Sequence, residues 1–404
     1  MRLISLVVAL LMVGTASAQD VQLDALRATL ATLRSHAAEA TMEKPAPGTE
    51  LTVAKHQLRE WIEAQLGSLK DDVDVKALAD HINQAIKAMG ATAAVEDQNY
   101  LGYVGEVRIS REARLLIVTT GVGILCQMDE SAYGYKFTNG RWQRIWESEQ
   151  DDYSPKKYAP QYIEAVRVWQ SFKKDGHEEG PAFVMTLGHE WGCASTWHMV
   201  YYRVWRIDSS GAKSLIDDSQ FAWLRAESYA VGSIAGDRTN EKAPVDVLIE
   251  FTQSSIDDGV HNREGIRHFL IEGDQVRRVD PVALSPRDFV DEWLTRGWDE
   301  SAVWSESPTL RHWHAKLHAD FVSGEFGDRT MHCQSHDLWQ VTVEPWNAQK
   351  NFEPEPKAYF LVRWRPPYHF TMVNISEKAW PRCARQDPEA DEWRTLFPTQ
   401  DWRQ

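Results

Sequence analysis

The sequence predicts a mainly β fold of propeller-like repeats of four-stranded antiparallel sheets, with an N-terminal helical segment and a C-terminal α+β region. Apolar residues follow a helical spacing before residue 95 and alternate with polar ones from about residue 100. Related stretches of sequence then recur along the chain. A composition of 43% hydrophobic and 25% charged residues in 404 positions is that of a globular protein with a sizeable core.

Residues 1–18 have the three-part layout of a secretory signal peptide. Arg2 supplies a basic start, residues 3–14 form an apolar run, and Ala16, Ser17 and Ala18 place small residues before a cleavage point. The run is too short to span a bilayer, and no later stretch approaches the roughly 18 apolar residues that a membrane helix needs. We therefore expect an exported protein, periplasmic or secreted, without membrane insertion.

Residues 19–95 predict the N-terminal helical segment. Three apolar stripes with helical spacing lie there: Leu23 to Leu33, Leu51 to Leu66 and Val75 to Met89. Gly67 follows the second stripe and Gly90 the third, and glycine is the preferred residue just after a helix. The stripes are narrow and cover barely two heptads, so we expect packing against another part of the chain rather than a coiled coil.

Residues 96–283 contain an internal repeat that predicts a β-repeat domain. The stretch from Tyr103 to Ile109 matches the stretch from Tyr162 to Val168, and an offset of 67 residues then aligns the two copies. The aligned pairs are Thr119 with Thr186, Gly121 with Gly188, Cys126 with Cys193, and Tyr135 with Tyr202. A third, degenerate copy begins at Tyr229.

The pattern predicts four strands joined by tight turns in each copy. Asn139-Gly140 strongly predicts a hairpin turn between two of these strands. Such units resemble the blades of a β-propeller. Three copies are too few to close a ring, so either a fourth blade lies in the C-terminal third or the sheets form an open arc or sandwich. Trp142 and Trp146, four apart on one short strand, are interpreted as packing between sheets.

Residues 284–404 predict the C-terminal α+β region. Ser285 and Pro286 form a helix start, with an apolar stripe that ends at Gly297. A second helix begins near Pro308. Three strand candidates follow, over residues 338–344, 358–365 and 369–375.

Charge and missing motifs exclude several function classes. A formal charge of −15 argues against nucleic-acid binding and against docking on anionic lipid, because both need clustered basic residues. The sequence has no G-x-x-x-x-G-K-[ST], G-x-G-x-x-G, G-x-S-x-G or H-E-x-x-H motif. This lowers the expectation of phosphoryl transfer, dinucleotide redox chemistry and the common hydrolase classes, but it leaves open whether the protein is an enzyme.

One candidate site follows the second copy of the repeat, where the chain has His189, Glu190, Trp191, Trp197 and His198. The matching loop of the first copy is apolar, and convergent polar groups on loops at one end of a sheet suit ligand recognition. These residues favour a non-catalytic binding protein without a cofactor, with a protein or carbohydrate as ligand. In the alternative interpretation the tryptophans pack between sheets while His189 and Glu190 face solvent.

A second candidate site is a histidine-rich cluster: His314, His318, His332, His336 and Asp337. On a helix, His314 and His318 share one face at a spacing that suits two ligands of one divalent metal ion. The alternative function is therefore a metal-dependent hydrolase. The alternative interpretation is that these side chains are solvated or hydrogen-bonded beside an aromatic core, because Trp313 and Trp339 flank them and no full ligand pattern is present.

The four cysteines predict two disulfides, Cys126–Cys193 and Cys333–Cys383. The first pair occupies equivalent positions in adjacent copies of the repeat, and the second lies within the C-terminal third. Loops of this length give about 4 kcal/mol of stabilisation each in the chain-entropy treatment. Four unpaired buried thiols are the alternative.

Overall fold

The structure is a computed structural model that describes residues 21–41, 46–92, 100–151, 153, 161–173, 179–190, 195–224, 228–254, 262–279, 283–318, 325–326, 330–344, 358–365, 369–383 and 385–386. The predicted signal peptide lies outside these residues. The chain divides into two compact units. Unit 1 comprises Met1–Gln220 with Arg238–Glu241, and unit 2 comprises Phe221–Asp237 with Lys242–Gln404. The predicted four-part domain division stays a prediction.

Unit 1 begins with the three predicted helices: α1 over residues 21–35, α2 (Gly48–Leu66) and α3 (Val75–Ala88). The Asp74 carboxylate caps α3 by accepting hydrogen bonds from the backbone N–H groups of Lys76 and Ala77. Gly90 follows this helix with φ 71°, the left-handed conformation that glycine adopts without strain. The buried leucines of these helices share one apolar core with the first sheet.

The first sheet of unit 1 is a meander of four antiparallel strands: β1 (Arg108–Glu112), β2 (Leu115–Ile124), β3 (Gln127–Thr138) and β4 (Arg141–Ser148). The predicted hairpin joins β3 to β4. Asn139 and Gly140 have φ of 55° and 77°, as a type I′ turn requires.

The second sheet of unit 1 repeats this order with β5 (Gln161–Phe172), β6 (Glu179–Glu190), β7 (Trp197–Asp208) and β8 (Gly211–Trp223). Gly121 and Gly188 lie on the second strands of the two sheets, and Tyr135 and Tyr202 on the third. Both tyrosines are 1% exposed. The aligned positions of the predicted repeat therefore occupy equivalent places in two consecutive sheets.

Two tryptophans of β4 face opposite sides of the first sheet. Trp146 packs between the two sheets, with its ring 5.2 Å from that of Trp205, as predicted. Trp142 instead packs into the core beneath the helices, 5.4 Å from Phe137. The pairing of β3 with β4 shifts register between Gly134 and Tyr135, so residues four apart on β4 no longer share a face.

Unit 2 contains a third antiparallel meander: β9 (Ala230–Gly236), β10 (Val245–Ser254), β11 (Asn262–Glu272) and β12 (Gln275–Arg278). Three helices follow: α4 (Pro286–Thr295), α5 (Trp298–Val303) and α6 (Leu310–Leu317). The Ser285 hydroxyl caps α4 by accepting a hydrogen bond from Asp288 N, as the sequence predicts. The short α5 was not predicted.

The last sheet of unit 2 consists of β13 (Glu325–Phe326), β14 (Met331–His332), β15 (Leu338–Glu344), β16 (Ala358–Arg365), β17 (His369–Ser376) and β18 (Arg385–Gln386). Strands β15 to β17 coincide with the three predicted strands. Their buried side chains share an apolar core with α4 and α6. The chain is thus mainly β, with several antiparallel sheets, and none of the sheets traced through the described residues closes into a barrel or a propeller ring.

The predicted disulfide Cys333–Cys383 is present and joins residues 50 apart in sequence. It closes the segment that carries β15, β16 and β17. Cys126 is also disulfide-bonded, and its predicted partner Cys193 lies outside the described residues. Within the described ranges, no helix has both the length and the apolar character needed to cross a bilayer.

Candidate functional site

The structure brings most of the first candidate site together at one end of the second sheet of unit 1. His189 and Glu190 end β6, and Trp197 and His198 begin β7, the neighbouring strand. The imidazole centroids of His189 and His198 lie 5.4 Å apart. Trp191 lies outside the described residues.

His189 is surrounded by three groups besides His198. Its Nδ1 donates a hydrogen bond to the Glu190 carbonyl oxygen at 2.9 Å, so a neutral ring carries its acceptor lone pair on Nε2. The centroid of the Tyr162 ring lies 5.2 Å from that of the imidazole. Glu164 Oε1 lies 3.8 Å from Nε2, a distance at which a donor group can bridge two acceptors.

Burial lowers the pKa of His189 to about 4, because the charged imidazolium would lose its solvation. The hydrogen bond to the Glu190 carbonyl raises the pKa, and the neighbouring His198 lowers it further. The ring is therefore neutral at physiological pH. Its side chain is only 12% exposed, which differs from the alternative interpretation of a solvent-facing histidine.

A cavity of about 300 Å³ adjoins this ring and is called the His189 cavity here. Its lining residues are Tyr100, Cys126, Gln127, Met128, Tyr162 and His189. They combine aromatic rings and a thioether with an amide and an imidazole, the mixture of apolar surface and few polar groups typical of small-ligand sites. Tyr162, Gln127 and Met128 were missed in the sequence, where they carry no motif.

Glu190, Trp197 and His198 mainly shape the turn beside the cavity. Glu190 Oε1 accepts a hydrogen bond from Met199 N at 3.2 Å. The Ser195 hydroxyl bonds both backbone polar groups of Trp197. His198 is 3% exposed and its Nε2 donates to the Ser195 carbonyl rather than to its hydroxyl. The hydrogen bond between His198 and the Ser195 backbone therefore stabilises the turn that leads into β7.

The second candidate site is divided between two places in unit 2. His314 and His318 on α6 have stacked rings with centroids 5.0 Å apart. His314 Nε2 donates to the Arg296 carbonyl at 3.0 Å, and His318 Nδ1 donates to the Leu294 carbonyl at 2.6 Å. These carbonyls lie at the C-terminus of α4, where intrahelical donors run out. The two histidines therefore cap another helix.

The other three residues of that set have different partners. The His332 ring stacks on Trp339 at 4.1 Å and its Nε2 donates to the His336 carbonyl. The Asp337 carboxylate accepts from the Ser335 hydroxyl and from Arg363, which together hold its pKa below the usual range. No group of three or more potential ligands that could hold a metal ion occurs among the described residues. The predicted metal site is thus not assembled.

A buried polar interface between α2 and β3 was not predicted. Lys55 Nζ lies 2.9 Å from Asp129 Oδ2, and the two side chains are 2% and 0% exposed. Lys55 also donates to the Gln150 carbonyl and to the Tyr153 hydroxyl, so all three of its N–H groups are used. Asp129 also accepts from Gln161 N.

The same interface continues along both elements. Arg59 lies 3.0 Å from Glu149, which also accepts from the Tyr133 hydroxyl. Glu63 accepts from Tyr135 at 3.4 Å. We call this set the α2–β3 seam: Lys55, Arg59 and Glu63 on α2 against Asp129, Tyr133 and Tyr135 on β3. Residues four apart on a helix share one face, and residues two or four apart on a strand also share one face. The residues of α2 therefore lie opposite those of β3.

The His189 imidazole predicts an acid-dependent loss of stability. Its pKa is about 4 when folded and about 6.5 when unfolded, so between these values the unfolded chain binds a proton that the folded chain does not. Stability therefore falls as pH falls from about 6.5 to 4, by about 3 kcal/mol from this group. Urea unfolding at stepwise pH, compared between the wild type and His189→Gln, measures this contribution.

The control for this experiment is His36→Gln, which removes a more exposed histidine of unit 1, with a side chain 35% exposed. This variant should keep the loss of stability between pH 6.5 and 4, because the His189 imidazole is still present. If the free energy of unfolding depended on pH in the same way for the wild type and for His189→Gln, this would contradict the burial of a neutral imidazole.

No family model and no curated protein matches the chain. Among the solved structures that match it, two show weak similarity as follows. One, described as a glycoside hydrolase, has a TM-score of 0.23 and 9% identity, over 74% of this chain and 93% of that one. The other, described as an RGII complex, has a TM-score of 0.24 and 9% identity, over 83% of this chain and 98% of that one. Likeness at this level carries no argument about function, and no family is shown.

Proposed function

We propose that this protein is an exported, non-catalytic binding protein on a β-repeat scaffold, and that its ligand is a carbohydrate bound in the His189 cavity. The observation that carries the proposal is the neutral, fixed imidazole of His189, held beside Tyr162 at the wall of a 300 Å³ cavity. Cavities of roughly this volume and above accept small ligands.

The side chains of the cavity suit a neutral, hydroxyl-bearing ring. Tyr162 offers an aromatic face on which a sugar ring can stack. His189 Nε2 is the acceptor nitrogen of the imidazole that lines the cavity, so a ligand hydroxyl can donate to it. The Gln127 amide adds both a donor and an acceptor. A concave site of this size suits a sugar better than a flat protein surface.

Two observations support export. Residues 1–18 have the layout of a signal peptide, and the chain forms the Cys333–Cys383 disulfide. Disulfides persist in oxidising compartments and are rare in the cytosol. The binding role is supported by the absence of the common catalytic motifs from the sequence.

A glycan array followed by titration of the best ligand tests the proposal. We expect saturable binding that Tyr162→Ala weakens at least tenfold, because the stacking face is lost. Tyr359→Ala, which removes a half-buried tyrosine of unit 2, should leave the affinity unchanged.

Three results would overturn the proposal in different ways. Absence of any saturable glycan, or binding insensitive to Tyr162→Ala, rejects the His189 cavity as a carbohydrate site. Capture of a protein alone in a parallel pull-down rejects the ligand class. Chemical turnover of the bound glycan rejects the non-catalytic role.

A further inference from the structure

The Gln127 side chain places a hydrogen-bond donor without a partner at the wall of the His189 cavity. Its amide Nε2 is buried and has no acceptor among the described residues. A buried donor without an acceptor is unfavourable, so a ligand carbonyl that accepts from it gains affinity. We propose that the cavity takes an N-acetylated amino sugar, with the acetamido group held between Gln127 and His189. This inference rests on the function proposed above and names the class of sugar.

An acetamido group needs an acceptor for its N–H and a donor for its carbonyl. His189 supplies the acceptor, because its Nδ1 donates to the Glu190 carbonyl and leaves the lone pair on Nε2. Burial lowers the pKa of His189 to about 4, so Nε2 stays an acceptor at neutral pH. Gln127 supplies the donor, because its terminal amide rotates about a soft torsion. A hydroxyl at the same position of the sugar offers one oxygen in place of the nitrogen and oxygen of the acetamido group.

The rest of the lining suits the rest of such a sugar. Met128 borders the cavity beside Gln127, and its thioether suits contact with the methyl of an acetamido group. The Tyr162 ring offers a face to the apolar side of the sugar ring. None of the described lining residues carries a charge at neutral pH, which suits a neutral ligand. A volume of about 300 Å³ lies at the lower end for small-ligand sites, so the cavity fits one sugar residue.

Two buried carboxylates of β3 fix the aromatic wall of the cavity. Asp129 Oδ1 accepts a hydrogen bond from Gln161 N at 3.1 Å, and Glu130 Oε2 accepts one from Ile163 N at 3.0 Å. These two backbone groups flank Tyr162 in the chain. The carboxylate side chains are 0% and 6% exposed, respectively. The ring of Tyr162 is therefore positioned before a ligand arrives, which reduces the entropy lost on binding.

Calorimetric titration of the full-length protein with two methyl glycosides tests the inference. The methyl β-glycosides of N-acetylglucosamine and of glucose differ only in the acetamido group, which replaces one hydroxyl. We expect the N-acetylglucosaminide to bind at least tenfold more tightly, because it alone satisfies both side chains. Gln127→Met keeps the length of the side chain and removes the donor, and it should bring the ratio of the two affinities close to one. His189→Phe removes the acceptor and should also reduce this ratio.

Gln65→Met is the matched control, at a half-buried glutamine of α2 outside the cavity lining. It should bind both glycosides like the wild type. Thermal unfolding without ligand adds a second measurement. Gln127→Met should be at least as stable as the wild type, because it removes a buried donor that has no acceptor. A clear loss of stability would show that the Gln127 amide serves the fold, and this would overturn the inference.

The titrations separate failure of this inference from failure of the proposed function. Equal affinity for the two glycosides, or a preference that survives Gln127→Met, overturns the assignment of an N-acetylated sugar and leaves the carbohydrate site in place. Binding of neither glycoside nor of any sugar on the array rejects the carbohydrate site itself. Tighter binding of N-acetylglycinamide than of the N-acetylglucosaminide assigns the acetamido group to a peptide, which also overturns the inference.

Discussion

Replacement of Gly123 by alanine is expected to destabilise unit 1 by more than about 3 kcal/mol. A Cβ at this position would lie 1.7 Å from the carbonyl oxygen of Tyr100 and 2.6 Å from its carbonyl carbon. Both atoms belong to a backbone segment that is hydrogen-bonded to β2. Gly123 N donates to Tyr103 O, and Gly102 N donates to Gly123 O. The clash therefore cannot be relieved by turning a side chain.

Guanidinium unfolding, followed by circular dichroism, measures this loss of stability. Gly67→Ala is the matched control in the same unit, because its added Cβ meets only ordinary contacts at 3.6 Å and its φ of −57° suits alanine. It should change stability by less than about 1 kcal/mol. A Gly123→Ala protein as stable as the control would show that residues 100–103 do not cover β2.

Removal of the Lys55 charge is expected to cost about 3–5 kcal/mol, because it leaves the carboxylate of Asp129 buried without its cation. Lys55→Met keeps the length and apolar stem of the side chain. Asp129 is fully buried, so water cannot replace the lost ammonium. Equilibrium unfolding at pH 7 measures the difference.

Lys76→Met serves as the control, since the Lys76–Asp80 pair has side chains 83% and 54% exposed. Solvent screens such surface pairs, so the loss of this one should change stability far less than the loss of the Lys55 charge. The double variant Lys55→Met with Asp129→Leu should lose less stability than the sum of the two single variants, because no buried charge is left alone. Strict additivity would mean that the two side chains do not interact.

Periodicity made the strands and long helices of this chain predictable, down to the bounds of β15 and β16. It failed where the pattern is too short or is interrupted. The six residues of α5 make too few turns to show a stripe. A bulge in β4 reverses the face of one tryptophan, and a bulge leaves no signal in side-chain spacing.

The candidate sites show a different limit. His189 could be found because its loop departs from the apolar loop of the first copy, whereas Tyr100 and Tyr162 meet only through the tertiary fold. The spacing of His314 and His318 suits a metal ion and suits two capped carbonyls equally well. Lys55 is separated from Asp129 by 74 positions in the sequence. A lysine on a helix is normally predicted to face solvent, so its buried partner could not be inferred from the sequence.

The α2–β3 seam also determines how far along the strand the helix can sit. A slip of four residues, about 6 Å, in one direction would bring Glu63 to the place of Arg59, beside Glu149, so that two carboxylates meet. The opposite slip would bring Leu51 to the place of Lys55 and leave the Asp129 carboxylate facing an apolar side chain. Either arrangement costs several kcal/mol, and it also moves Trp61, which is 1% exposed, out of its place in the core. The polar residues therefore act together with the buried Trp61 in selecting a single docking position for this helix.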